Sequence, residues 1–370
     1  MRKIKKKIAV IGAKGIPSHV SGLEVYIQNL TVEMIDDFDI TVFSRKRYCD
    51  VILQDYKGVK VRYVPSINTK HLDAITYSVI ATVLALIGHY DIFWYQALGP
   101  AVTMPLTKLF KKKIVSTVHG LDWKRDKFGK VASAVLKLGE RCIANNADII
   151  ITLQKFDDGY FRKKWNKNTI LIPNGVRQPC FRDAMEITNK YGLKTGSYIL
   201  FMSRIVPEKG VHILVKAYQR SGIDKKLVIA GRGVHTAGYE DDIRKMAQND
   251  ENIIFTGLVD GALKEELYSN AYAYVLPSTI EGQSIGLLEA MSYGLACIVS
   301  DIPENIDVVR DAGIHFEVDN VESLKLALID CANNKEKIVS IGKEAQKQIC
   351  DNHNWNNTLA QTVDTFKTLL

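Results

Sequence analysis

Two glutamates in the second half of the chain, Glu281 and Glu289, have the residue type and spacing to bind hydroxyl groups. The run Val275-Leu276-Pro277 before them is typical of the end of a buried strand, and the apolar residues after Glu281 recur at helical spacing. We therefore predict Glu281 in a loop and Glu289 in the second turn of a helix. Helical side chains lean toward the N-terminus, so Glu289 would reach the same cleft that Glu281 faces. The free N–H groups of the first turn also point there and suit an anion. Hydroxyl acceptors beside an anion site are what a sugar nucleotide requires.

A pair of cations, Arg204 and Lys209, follows the predicted strand Tyr198–Met202 and flanks a turn that contains Pro207. Arginine binds phosphate oxygens with its planar fork, whereas lysine acts as a point charge. We predict that the two bind a diphosphate and stabilise its charge as it departs, without a metal ion. A surface turn would explain the proline and Gly210, but it would not explain an arginine at the end of a strand.

Glycines after other predicted strands allow the backbone to approach a ligand closely. Gly15 and Gly22 follow the first strand, and Gly231 and Gly257 follow later ones, where they suit a base or ribose. The first loop is not Gly-x-Gly-x-x-Gly, and no acidic residue ends a well-placed second strand. The sequence therefore argues against a dinucleotide site and an oxidoreductase.

One histidine, His119, directly follows the predicted strand Ile114–Val118 and precedes Gly120. A lone histidine is more often a hydrogen-bonded structural residue. The carboxyl ends of parallel strands are where ligands bind in α/β folds, so this position favours a catalytic or binding role.

Apolar strand-like runs alternate with helical segments along the whole chain, which predicts parallel sheets covered on both faces. The alternation restarts after Pro179, so we predict an α/β protein with two Rossmann-like domains joined near 175–182.

The apolar run Ala74–Gly88 is too short to span a bilayer and is predicted as a buried helix. Six scattered cysteines indicate free thiols in a reducing compartment and no zinc site. Asp37-Phe38-Asp39 is predicted to be a solvated turn rather than a metal site.

The charge of the chain is unevenly distributed. Residues 1–180 contain 29 Lys and Arg against 15 Asp and Glu, a formal charge of +14, and the remainder contains 20 against 26, or −6. No nucleic-acid-reading motif accompanies the basic half. Its lysine triplets at 5–7 and 111–113 are either solubilising charge or part of a membrane-facing surface. A basic segment also continues into a helix with apolar residues, which is compatible with lipid contact (Lys124, Arg125, Lys127, Lys130, Val131, Val135, Leu136, Lys137, Leu138).

Taken together, these motifs resemble the retaining, GT-B-fold glycosyltransferases of family 4. The resemblance rests on Glu281-x7-Glu289, on Ser203-Arg204 with Pro207-Glu208-Lys209-Gly210, on Ile172-Pro173-Asn174-Gly175-Val176, and on His119. The N-terminal half, from its Ile11–Pro17 and His119–Arg125 segments, looks like the subgroup that includes bacterial capsule rhamnosyltransferases. The resemblance covers nearly the whole chain, in order.

The resemblance implies a GT-B architecture in which two Rossmann-like domains face each other across a cleft. Residues 1–178 would form an acceptor-binding domain, and residues 179–354 would form the domain that binds the nucleotide sugar. The C-terminal helix at 355–370 would pack back onto the first domain.

Roles for individual residues also follow from the resemblance. His119, Arg204, Lys209 and Glu281 would be catalytic, and Glu289 would bind the ribose. The donor-binding set would comprise Gly15, Gly22, Arg204, Lys209, Gly231, Gly257, Glu281, Gly282, Gln283, Ser284, Ile285 and Glu289. The usual Phe-Gly after Glu281-Gly282 is replaced by Gln283-Ser284, so polar side chains would line the sugar pocket.

The predicted function is metal-independent transfer, with retention, of a hexose or deoxyhexose from a nucleoside-diphosphate sugar. No separate cofactor is expected. The acceptor would be a glycan or a polyprenyl-diphosphate-linked oligosaccharide, in surface polysaccharide synthesis, with no role for nucleic acid. The protein would be cytoplasmic, with peripheral contact to an anionic membrane. The alternatives are a nucleotide-sugar epimerase or hydrolase on the same scaffold and a non-catalytic nucleotide-binding protein.

Overall fold

A computed structural model describes residues 5–17, 22–49, 51–69, 72–124, 129–233, 238–248 and 250–370 of the chain. The chain divides into two compact units. The first comprises Met1–Asn174 and Asn356–Leu370, and the second comprises Gly175–Trp355. The division after Asn174 precedes the predicted boundary at residue 178.

The first unit is built on an eight-stranded sheet with the order β3-β4-β2-β1-β5-β6-β7-β8. Its strands are β1 Lys6–Ile11, β2 Phe38–Ser44, β3 Asp55–Tyr56, β4 Val59–Tyr63, β5 Ile92–Gln96, β6 Lys113–Val118, β7 Ile149–Thr152 and β8 Ile170–Leu171. All pairings are parallel except β3 with β4. Strand order reverses between β1 and β5, and such a switch point opens a crevice at the carboxyl ends of the strands.

Helices connect these strands, namely α1 Gly22–Glu33, α2 Leu72–Ile87, α3 Met104–Leu109, α4 Lys130–Asn146 and α5 Lys155–Trp165. The prediction of a buried helix at Ala74–Gly88 is wrong on one face. Tyr77 and Ala81 of α2 are buried, but Val79, Val83 and Ile87 are exposed. None of the helices in the described ranges is both long and apolar enough to cross a membrane.

The second unit is built on a six-stranded parallel sheet with the order β11-β10-β9-β12-β13-β14. Its strands are β9 Tyr198–Met202, β10 Lys226–Ala230, β11 Ile253–Gly257, β12 Ala273–Leu276, β13 Cys297–Ser300 and β14 Ile314–Phe316. Its helices are α6 Glu186–Tyr191, α7 Val211–Ser221, α8 Tyr239–Ala247, α9 Gly261–Asn270, α10 Ile285–Ser292, α11 Pro303–Val309, α12 Val321–Asn333 and α13 Lys335–Asn352. Strand order reverses between β9 and β12, so the loops after these two strands meet at a switch point.

The last helix, α14, spans Trp355–Lys367, and the residues after Trp355 belong to the first unit. Phe366 is fully buried and packs edge-on against Phe38 and Trp94, with ring centroids 6.0 Å and 4.9 Å away. These contacts hold the end of the chain against the sheet that contains β2 and β5.

Candidate functional site

Backbone hydrogen bonds connect neighbouring segments of the second unit at the carboxyl ends of β9, β10 and β11. The N–H of Ser203 donates to the carbonyl of Ala230 at 3.1 Å, and the N–H of Gly231 donates to that of Gly257 at 2.8 Å. Gly231 has a φ of +147°, and a Cβ there would lie 1.8 Å from the carbonyl oxygen of Ser203. A side chain at residue 231 would therefore push the loop that carries Arg204 out of place.

Arg204 is half-buried at the end of β9. Within the described part of the chain, its guanidinium makes no side-chain hydrogen bond or ion pair. A half-buried guanidinium without a carboxylate partner suits an anionic ligand, because the positive charge is already partly removed from water.

Lys209 and Glu281 form a buried ion pair between the loops after β9 and β12. Their side chains are 8% and 7% exposed. The Oε1 of Glu281 also accepts a hydrogen bond of 2.6 Å from Ser278 Oγ. Glu281 was predicted to contact a sugar, and the structure shows that it holds Lys209 in place.

The turn that carries Lys209 is fixed to the end of β12. Gly210 has a φ of +65°, and a Cβ there would lie 2.0 Å from the carbonyl oxygen of Pro277. The N–H of Thr279 donates to the carbonyl of Glu208 at 3.0 Å. Lys209 therefore sits on a turn that fits the neighbouring strand end because residue 210 is a glycine.

Glu289 lies in the second turn of α10, as the sequence predicts. The side chain of Ser284 caps this helix by accepting a 3.4 Å hydrogen bond from the N–H of Leu287. Lys264 on α9 donates to Glu289 Oε1 at 2.5 Å, and the Tyr268 hydroxyl donates to Oε2 at 3.3 Å. Both oxygens of the proposed ribose acceptor are thus hydrogen-bonded in the protein itself.

His119 follows β6 in the first unit, at the predicted strand end. Its Nε2 lies 2.8 Å from Oε1 of Gln96, the last residue of β5. The Tyr26 ring packs edge-on to the imidazole at 5.1 Å between centroids. Burial lowers the pKa of His119 to about 3, so the imidazole is neutral at physiological pH.

The first glycine loop uses part of its backbone within the protein. The N–H of Gly12 donates to the Tyr77 hydroxyl at 3.0 Å, and the N–H of Lys14 donates to Glu24 Oε1 at 3.1 Å. These two groups are therefore engaged before any phosphate binds. Gly15 lies close to Cys49, since a Cβ there would be 2.3 Å from its sulfur, and Gly22 begins α1.

The structure places the predicted residues of the second unit at or after the carboxyl ends of four neighbouring strands, β9 to β12, or in α10 (Arg204, Lys209, Gly231, Gly257, Glu281, Gly282, Gln283, Ser284, Ile285, Glu289). His119, Gly15 and Gly22 lie in the first unit. No group of three His, Cys, Asp or Glu side chains suited to a metal ion occurs in the described ranges. All six cysteines are free thiols.

Sequence reasoning missed three polar residues, Gln96, Lys264 and Ser278. Ser278 stands three positions before Glu281, a spacing that could have suggested a contact within one loop. Gln96 ends an apolar strand, but its neighbour on β6 is known only once the sheet order is known. Lys264 reaches Glu289 from a different helix, and no local pattern indicates that pair.

Comparison with known proteins assigns each unit to a sequence family. Residues 183–348 match the family described as Glycosyl transferases group 1, and residues 5–176 match a domain of unknown function, DUF1972. The chain is 24% identical to the GDP-mannose-dependent alpha-(1-6)-phosphatidylinositol monomannoside mannosyltransferase of Mycolicibacterium smegmatis, over 94% of this chain and 95% of that protein. It is 26% identical to O-antigen chain mannosyltransferase B of Escherichia coli, over 50% of each.

Solved structures share the fold over nearly the full length. Sucrose-phosphate synthase from Thermosynechococcus elongatus superposes with a TM-score of 0.85 at 18% identity and covers 99% of both chains. WaaG, a glycosyltransferase involved in lipopolysaccharide biosynthesis, has a TM-score of 0.78 at 16% identity and covers 97% of this chain and 99% of its own. These likenesses confirm the predicted GT-B class of two parallel-sheet α/β domains. With the sequence matches, they support a GT-B glycosyltransferase, and the match to Glycosyl transferases group 1 lies within the second unit.

Proposed function

We propose that the protein is a retaining glycosyltransferase of family 4 that moves a hexose or deoxyhexose from a nucleoside-diphosphate sugar to a glycan or lipid-linked acceptor in surface polysaccharide synthesis. The observation that carries the proposal is the half-buried guanidinium of Arg204, which has no side-chain partner in the described part of the chain. Lys209, whose position Glu281 fixes, lies five positions later in the segment between β9 and α7. Together the two cations suit a diphosphate.

The proposed donor contacts use residues of both units. Arg204 and Lys209 bind the diphosphate, and Glu289 accepts hydrogen bonds from the ribose hydroxyls in place of Lys264. Gly231 and Gly257 bring the backbone close to the base and ribose. The sugar lies against Glu281 and the residues up to the start of α10 (Gly282, Gln283, Ser284, Ile285). From the first unit, His119 contacts the sugar, and Gly15 and Gly22 belong to loops beside the phosphates and acceptor.

The proposed chemistry takes place on one face of the sugar. The bond from the anomeric carbon to the diphosphate oxygen breaks, and the acceptor oxygen bonds to the same face of that carbon. The acceptor proton passes to an oxygen of the leaving diphosphate. Arg204 and Lys209 stabilise the charge that develops there, so the proposed reaction requires neither a cofactor nor a metal ion.

A thermal-shift panel of nucleotide sugars tests the proposal. Binding stabilises the folded protein by about 2.7 kcal/mol when the ligand is at a hundred times its dissociation constant. GDP-mannose is included because relatives are named as mannosyltransferases, and dTDP-rhamnose because of the capsule subgroup resemblance. Arg204→Met should abolish the shift, and Arg220→Met, an exposed arginine on α7, should retain it.

Transfer assays then separate the alternatives. Turnover without an acceptor at a rate equal to transfer would instead indicate an epimerase or hydrolase. A function that Glu289→Ala leaves untouched would instead favour a non-catalytic nucleotide-binding protein. Trapping a covalent glycosyl-enzyme on a carboxylate would contradict transfer on one face.

We also propose that the protein is cytoplasmic and contacts an anionic membrane through its first unit. At the carboxyl ends of β2 and β4, Val51, Ile52 and Ile67 are 54%, 52% and 51% exposed. Lys46 and Arg47 precede the first two in sequence. We call these five residues the amphipathic rim. The Lys46 ammonium lies 5.8 Å from the centroid of the Tyr63 ring, and Arg47 forms an ion pair with Asp73. A lipid-linked acceptor has to reach the carboxyl edge of the sheet, so an apolar and basic surface there suits it.

The α4 surface predicted for lipid contact also combines exposed apolar side chains with lysines. Leu136 is buried, although Val131 and Leu138 are exposed. The ammonium groups of Lys124 and Lys137 lie over the rings of Phe156 and Trp123, at 4.3 Å and 5.1 Å from their centroids. Arg125 and Lys127 of the same prediction lie outside the described residues.

A further inference from the structure

Gln96 occupies the switch point of the first unit. It is fully buried at the carboxyl end of β5, between β1 and β6. Gly12, which follows β1, lies close to Gln96. A Cβ on Gly12 would be 2.5 Å from the carbonyl oxygen of Gln96 and 3.0 Å from the Cβ of Gln96. On the other side Gln96 pairs in register with Thr117 of β6, two residues before His119. The loops after both neighbouring strands therefore close around this side chain.

The half-buried imidazole of His119 is packed against aromatic rings as well as hydrogen-bonded. Tyr26 packs edge-on to it, and Tyr26 in turn packs edge-on to Trp94 at 6.5 Å. Trp94 is tied to β6 by its Nε1–H, which donates to Thr117 Oγ1 at 2.9 Å. A neutral imidazole has one N–H and one lone pair, and the hydrogen bond that one nitrogen makes determines which is which.

We propose that Gln96 is a positioning residue that holds His119 in the tautomer protonated on Nε2. Its Oε1 faces Nε2 at 2.8 Å and accepts the Nε2–H, so the lone pair is on Nδ1. In this orientation the buried amide nitrogen of Gln96 makes no hydrogen bond within the described residues. With the amide reversed, Gln96 would donate to Nε2 and the proton would be on Nδ1.

The inference rests on the proposed function in one respect, namely that His119 contacts the donor sugar. There the Nδ1 lone pair accepts a hydrogen bond from a sugar hydroxyl. A site built to accept a hydroxyl proton discriminates strongly against the analogue that lacks the hydroxyl.

Nitrogen NMR of the substrate-free protein tests the tautomer directly. The protein carries eight histidines, so [15N]histidine labelling gives few signals, and His119→Gln identifies the pair from residue 119. The wild-type spectrum is expected to show a protonated Nε2 and an unprotonated Nδ1. A protonated Nδ1, or an equal mixture of the two forms, would overturn the proposal.

Variants of Gln96 test its part in selecting the tautomer. Gln96→Leu removes the acceptor and is expected to give a tautomer mixture, whereas Gln96→Glu keeps an acceptor and should retain the Nε2–H form. Gln154→Leu is the matched control, because Gln154 is a buried glutamine near the end of β7 whose amide bonds Asp157 rather than His119. If Gln96→Leu does not fold, the Gln96→Glu and wild-type spectra still decide the question.

Kinetics add a readout that a merely structural role would not produce. Gln96→Leu is expected to lower kcat/KM about tenfold, the effect of losing one oriented hydrogen bond, and to have little further effect in a His119→Ala background. Equal losses in both backgrounds would contradict action through His119. The tautomer proposal and the proposed function can be refuted independently. The NMR spectra test the tautomer without turnover, and the transfer assay tests the function without a tautomer assignment.

Discussion

At the scale of single residues, the second unit contains two carboxylates whose lysine partners differ in burial. The Lys209–Glu281 pair is almost entirely removed from water, whereas Lys264 and Glu289 are 34% and 26% exposed. Burying a charge is costly unless a partner remains, but a partly exposed pair contributes little to stability. We therefore expect the first pair to affect folding and binding together, and the second to affect binding alone.

Removing one member of the buried pair should be strongly destabilising. Lys209→Met leaves the Glu281 carboxylate buried without its cation, and we expect the free energy of unfolding to fall by about 3–5 kcal/mol. The double variant Lys209→Met/Glu281→Gln should recover most of that loss, because no uncompensated charge remains. Urea titration of the four proteins of this cycle measures both effects. Additive losses would show that the two side chains do not depend on each other.

The exposed pair should separate binding from stability. Glu289→Gln removes the charge that strengthens hydrogen bonds from ribose hydroxyls, so we expect nucleotide-sugar affinity to fall about ten- to hundredfold, with the free energy of unfolding changed by less than about 1 kcal/mol. Lys264→Met removes the cation that competes for the same carboxylate and should tighten binding severalfold. Calorimetric titration checks both changes. Weaker binding by Lys264→Met would show that the lysine itself contacts the nucleotide.

At the scale of elements, α7 begins and ends next to left-handed glycines whose surroundings differ. Gly210 and Gly222 have φ values of +65° and +63°. A Cβ on Gly210 would meet the carbonyl of Pro277, whereas a Cβ on Gly222 would meet nothing within 4 Å. The two positions thus carry the same backbone strain, and one of them also has a steric conflict next to Lys209.

Alanine at each position should reveal that difference. Gly222→Ala is expected to cost about 1–2 kcal/mol of unfolding free energy, the strain of a left-handed alanine, and to leave donor affinity unchanged. Gly210→Ala should cost more and weaken nucleotide-sugar binding, because the 207–210 turn has to move away from β12. Urea unfolding and thermal shift with the donor measure the two quantities. Equal behaviour of the variants would show that the Pro277 contact is unimportant.

The elements also show which features the sequence could predict. Apolar strands such as β6 and β9 are predicted from the sequence, because a buried parallel strand is a continuous apolar run between turns. The two-residue strand β3 was missed, since an antiparallel pair of that length has no periodicity. The exposed face of α2 was also missed. Helical periodicity cannot reveal a buried face when nearly every position is apolar, and the neighbours of α2 determine which side is covered.

At the scale of the whole molecule, the excess of lysine and arginine lies in the same unit as the amphipathic rim. The positive half of the chain, residues 1–180, includes nearly all of the first unit. Each lysine or arginine near an anionic lipid surface contributes about 1 kcal/mol of attraction, and this attraction is screened by salt. Binding that needs both anionic lipid and apolar side chains would therefore distinguish membrane contact from solubilising charge.

Vesicle sedimentation tests this idea with a matched pair of variants. We expect the wild-type protein to bind anionic vesicles at low salt, to bind neutral vesicles far less, and to be released by high salt. Val51→Ser/Ile52→Ser/Ile67→Ser should lower the bound fraction at least tenfold, because burial of each side chain in the interface contributes about 1.5–3 kcal/mol. Leu109→Ser/Phe110→Ser is the control, since both residues are exposed near the amino end of β6, beside the lysines at 111–113. Loss of binding in the control but not in the rim variant would place the contact at the opposite edge of the sheet, and equal binding to neutral vesicles would rule out an electrostatic membrane contact.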